Sequence, residues 1–149
     1  MITILLLSLV GAVIAAIVGT FWYSDKTPMG RIHMRSLGFD KLSEEERKRQ
    51  IEEAKPKMPK MYAAQLALSF LTSFAVVFVI LMTVRNGAPL TLALGFVIMN
   101  WLCFMVPIIG AGILWSNVDR SIAWKKFFSD ILSNLVTILL IALLATFFI

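Results

Sequence analysis

The sequence predicts an all-α membrane protein: an antiparallel four-transmembrane-helix bundle with a short cytoplasmic helix between spans 1 and 2. Three observations carry this. Mean hydropathy is +0.85 and 59% of the residues are hydrophobic, more than the roughly half expected of a soluble domain. Charge is missing from residues 1–24, 61–84, 86–118 and 131–149. Each of these stretches can cross a bilayer, because a hydrocarbon core of about 30 Å needs about 20 helical residues. The 149 residues form a single four-span domain.

The first span covers residues 3–22. No basic run precedes it and no cleavage site of small residues follows promptly, so it reads as a retained anchor rather than a signal peptide. Gly11, Ala15 and Gly19 recur every four residues and form a small-residue stripe suited to close helix packing. Trp22 and Tyr23 fall where an aromatic belt meets the headgroups, followed at once by Ser24.

The cytoplasmic segment, residues 24–60, is the most charged part of the chain. Ser43 and Glu46 have capping-box spacing, and Glu44, Glu45 and Glu46 suit the positive end of a helix dipole. Glu44–Lys48 and Glu45–Arg49 are spaced as i, i+4 ion pairs. Pro56 and Pro59 are expected to end this helix. It serves either as a solvated stiffener of the loop or as a docking site for a soluble partner. His33 has no Cys, Asp or Glu at ligand spacing, and nothing in the sequence calls for a metal or a cofactor.

The second span, residues 62–84, carries Gln65, Ser69, Thr72 and Ser73 along one face. The third, residues 90–115, carries Asn100, Cys103, Pro107 and Gly110 at spacings of 3, 4 and 3. Pro107 is expected to kink it. Cys103, the lone cysteine, is expected to pack as a small residue. The fourth span, residues 131–149, carries Ser133, Asn134 and Thr137, and Asp130 stands at its start as a dipole-stabilised carboxylate. Trp124 lies just before it.

Charge sets the orientation. Residues 24–60 hold 10 of the 14 basic residues, and Arg120, Lys125 and Lys126 lie on the same side, leaving Arg85 alone on the other. The positive-inside rule makes the basic side cytoplasmic and puts both termini outside. Anionic headgroups account for the net charge of +5 without nucleic acid.

Each span thus has one polar or small stripe. The stripes either hydrogen-bond helix to helix or line a polar pocket, with Gln65, Asn100 and Asn134 as its most polar walls. Gly19–Trp22 and Gly112–Trp115 are similar span ends, each followed closely by a serine. This permits a weak two-plus-two repeat in which Trp22, Tyr23, Ser24 and Trp115 frame a shared mouth; a plain aromatic belt explains them equally.

The stretch "GTFWYSDKTPMGRIHM" followed by "GF" resembles the opening of the DUF1761 family of bacterial membrane proteins. "NWLCFMVPIIGAGILW" resembles its later Trp-Leu-Gly-Phe-x-x-Pro stretch, with Trp101, Leu102, Phe104 and Pro107 in place and Cys103 standing for the glycine. In the last span Asn134 stands where the family commonly has histidine, which weakens a proton-relay reading there. The resemblance implies a small multi-pass protein of the bacterial inner membrane with no established activity, and it adds Trp101 to the candidate site.

Gly11, Ala15, Gly19, Pro107 and Gly110 are therefore expected to pack helices, and a homo-oligomer is expected from such stripes. The expected function is non-enzymatic: a small-ligand or lipid binding or transport module, or alternatively a structural or accessory subunit. No span offers paired acids, a Cys–His pair or a metal cluster for catalysis.

Overall fold

A computed structural model describes residues 1–149. The chain is all-helical: α1 (Ile2–Trp22), α2 (Pro28–Ser36), α3 (Glu44–Ala54), α4 (Met58–Arg85), α5 (Leu90–Asn100), α6 (Val106–Leu114) and α7 (Arg120–Thr146). Single 3₁₀ turns occupy Phe39–Lys41 and Lys55–Lys57, and a π-helical segment, Trp101–Met105, joins α5 to α6. Four stretches are long and apolar enough to cross a membrane: α1, α4 with its lead-in, α5 through α6, and α7.

The packing follows from the stripes. α1 buries Ile4, Leu7, Ser8, Gly11 and Ala12, one face of a 3.6-residue period. These meet Val77, Ile80 and Leu81 near the end of α4 and Ile141, Ala142 and Ala145 near the end of α7. The apolar core therefore lies toward the end of the molecule that carries both termini. Leu5, Leu6, Leu9 and Val13 of α1 point outward and are exposed, as lipid-facing residues are.

At Gly11, α1 packs tightly against α4. A Cβ there would lie 1.9 Å from Ser73 Oγ, so only glycine admits the contact. The small-residue stripe does not continue as expected. A Cβ at Gly19 would meet nothing within 4 Å, so no neighbouring helix packs closely on that position. A Cβ at Gly110 would lie at ordinary contact distance, 3.5 Å from the Phe127 ring, so Gly110 marks no close approach of backbones.

Several boundaries differ from expectation for local reasons. α3 ends at Ala54, just before Pro56, as expected, but the chain stays helical: Pro56 sits in the 3₁₀ turn and Pro59 in the first turn of α4, where a missing N–H costs nothing. Pro107 is preceded by the π-helical turn, whose wider ring accommodates the lost backbone bond. Cys103 lies in that turn and is exposed, not packed. α7 begins at Arg120 rather than 131 because Asp119 caps it, accepting from the backbone N–H groups of Ser121 (2.9 Å) and Ile122 (3.4 Å). That places Asp130 and Trp124 inside the helix. Asp130 is not a dipole-stabilised first-turn residue.

The charged segment forms as read at its start. Ser43 Oγ accepts from Glu46 N at 3.3 Å, and Glu46 Oε2 accepts from Ser43 N at 2.9 Å, the two halves of a capping box. The ion pair that forms on α3 is Arg49–Glu53, at 2.9 Å, in place of the two expected pairs. Both its side chains are well exposed, so it adds little stability.

Candidate functional site

Away from the apolar core, a gap opens between α1, α4 and α7. The gap is a pocket of about 200 Å³. Gln65, Ser69 and Thr72 of α4 form one wall and Ser133, Asn134 and Thr137 of α7 another. Ala15 and Gly19 of α1 give it room, and Tyr23 stands at its edge. On the α1 stripe, Gly11 lets helices meet, and Gly19 borders the pocket. The lining offers amides and hydroxyls with no acid or base among them, which suits a neutral ligand with both donors and acceptors.

The corner after α1 is tightly built. Thr27 Oγ1 donates toward the carbonyls of Trp22 (2.8 Å) and Ser24 (2.9 Å) and accepts from Gly30 N at 2.9 Å, capping α2. A Cβ on Gly30 would lie 1.8 Å from the Ser24 carbonyl oxygen, so the chain can fold back here only through glycine.

This corner turns Trp22 and Tyr23 inward onto α7. Trp22 Nε1 donates to Ser129 Oγ at 3.0 Å. The Tyr23 hydroxyl donates to Asp130 Oδ1 at 2.9 Å, and the other Asp130 oxygen pairs with Lys126. His33 of α2 packs its ring on Tyr23, with centroids 4.9 Å apart. Burial, together with the Asp130 charge and hydrogen bond, holds the Tyr23 phenol well above its ordinary pKa, so it stays a donor. Burial and the nearby Lys126 charge lower the His33 pKa, against an opposing pull from Asp130.

The expected site residues divide. Tyr23, Gln65 and Asn134 come together in the pocket, and Trp22 braces its edge. Ser24 lies in the corner below, its hydroxyl accepting from Lys26 N at 3.4 Å. Asn100 and Trp101 line a separate, mainly apolar groove of about 380 Å³ between α4 and the third span. Asn100 Nδ2 donates to its own helix at Phe96 O, 3.0 Å away. Thr72 and Met105 belong to both cavities and form the wall between them. Trp115 is 89% exposed and lines neither, so it shares no mouth with Trp22. Sequence reasoning missed Ser129, Lys126 and Thr27. Only the i, i+4 spacing of Lys126 and Asp130 was visible in advance.

A family model described as a protein of unknown function (DUF1761) matches residues 6–146, nearly the whole chain, and the chain belongs to that family. No curated protein and no solved structure matches it.

Proposed function

We propose that this DUF1761 protein is a non-enzymatic membrane module that holds a small, neutral, hydrogen-bonding molecule between its helices. The observation that carries the reading is the pocket walled by Gln65, Thr72, Ser133 and Asn134. Amide side chains at membrane depth are costly unless they find partners. Their convergence on one cavity, rather than on each other, favours a bound partner.

In this reading the four spans form an antiparallel bundle, residues 24–60 face the cytoplasm and both termini face outward. The skew of 13 of 14 basic residues to one side supports that orientation. The chain self-associates through its third span. Only 11% of that span's apolar window is buried within the chain, against 28% for the others. Anionic headgroups are its lipid partners on the basic side.

A structural or accessory role is the second reading. Several of the hydroxyls bond back to their own helices, as Thr137 does to Ser133 O at 2.8 Å, which leaves fewer groups in need of a ligand. Native mass spectrometry of the detergent-extracted protein separates the two. A stoichiometric small-molecule adduct that is lost in Gln65→Leu/Asn134→Leu supports binding. A bare parent and a more stable double variant support dry packing.

A further inference from the structure

We propose that α2 and α3 build a phosphate-binding site at the membrane surface, distinct from the pocket between the spans. Arg31 and Arg35 lie one turn apart on α2 and so share a face. Arg47 reaches them from α3, its guanidinium 6.0 Å over the Phe39 ring. The three line one cavity of about 290 Å³, with Asp25 and Asp40 at its walls.

The cations are free to take a ligand. The chain's side-chain ion pairs are Arg49–Glu53 and Lys126–Asp130, so none of the three arginines is bound to a carboxylate. Neither Asp25 nor Asp40 comes within ion-pair distance, although both share the cavity. Three arginines lining one cavity offer guanidinium groups to a phosphate, whose oxygens such groups bind in bidentate fashion. The two carboxylates then face the remainder of the ligand and favour one that carries hydroxyl or ammonium donors.

The location fits this chemistry. Five residues separate the end of α1 at Trp22 from the start of α2 at Pro28, and the latch of Tyr23 onto Asp130 ties this corner to α7. The site therefore stands where a span emerges and where phosphate headgroups lie. The phosphate can come from a lipid headgroup or from a soluble ester, and the two are separable by experiment.

The test uses the full-length protein in a detergent with a neutral headgroup, at fixed ionic strength. Melting temperature is followed against short-chain phosphatidylglycerol, glycerol phosphate and inorganic phosphate. Saturable stabilisation is expected. In Arg31→Gln/Arg35→Gln/Arg47→Gln the apparent affinity should fall by about tenfold or more. Lys48→Gln/Lys55→Gln/Lys57→Gln removes the same charge from the same segment outside the cavity and should change it by less than about twofold. Arg35→Gln alone, at an exposed position, covers the case in which the triple variant does not fold. Response to the lipid alone assigns the headgroup, and an equal response to glycerol phosphate assigns a soluble ester; both support the site. Equal weakening in the two triple variants, or no saturable response of the parent to any probe, overturns it.

Discussion

Asp130 is bonded to Tyr23 through one oxygen and to Lys126 through the other. The pair is partly withdrawn from water, with side chains 24% and 16% exposed. Removing one partner leaves a charge short of compensation. Lys126→Met should destabilise the protein by about 1–3 kcal/mol, and Tyr23→Phe by about 1 kcal/mol, since only one hydrogen bond is lost. A double-variant cycle on thermal melts in detergent measures their coupling; simple additivity would show that the latch does not act as a unit. His33 adds a pH dependence. Its pKa is lowered in the fold, so its neutral form is the stabilising one. That contribution is full above the ordinary histidine pKa of about 6.5 and is lost as pH falls through that value toward the lowered one. His33→Gln should flatten the loss of melting temperature between about pH 7.5 and 5.5. An unchanged slope would place the titration elsewhere.

Elements show where local rules were enough. The four spans and the Ser43–Glu46 box could be read directly, because each depends on neighbours within a few turns. The latch could not, because Tyr23 and Asp130 are 107 residues apart and nothing local announces their meeting. The same limit applies to the α1 stripe. Gly11 and Gly19 look alike in sequence, yet one touches Ser73 and the other borders open space. A sharp contrast follows. Gly11→Ala should cost about 1–3 kcal/mol through overpacking, whereas Gly19→Ala should be close to neutral. Ser73 Oγ is buried without a hydrogen-bond partner, so Ser73→Ala should be tolerated and should relieve much of the Gly11→Ala penalty. Equal melting temperatures for the two glycine variants would mean that the two positions are packed alike.

At the scale of the whole molecule, the chain is graded from an apolar core at the terminal end to a polar pocket and a charged surface at the other. That gradient and the charge skew are the basis of the proposed orientation. Ser43→Cys and Asn86→Cys, each in a Cys103→Ser background, test it with an impermeant maleimide on intact cells. Labelling at position 86 and none at 43 is expected, and the reverse would invert the topology. The proposed function requires the space between α1, α4 and α7 to be a polar binding pocket rather than packed interior. Asn134→Cys in the Cys103→Ser background probes it most directly, through its reaction rate with a small water-soluble thiosulfonate in the purified protein. Leu140→Cys, on the exposed outer face of the same helix, is the lipid-side reference. Reaction at position 134 should be at least about tenfold faster, because thiosulfonates attack the hydrated thiolate. Equal inertness at both positions would contradict a wet pocket.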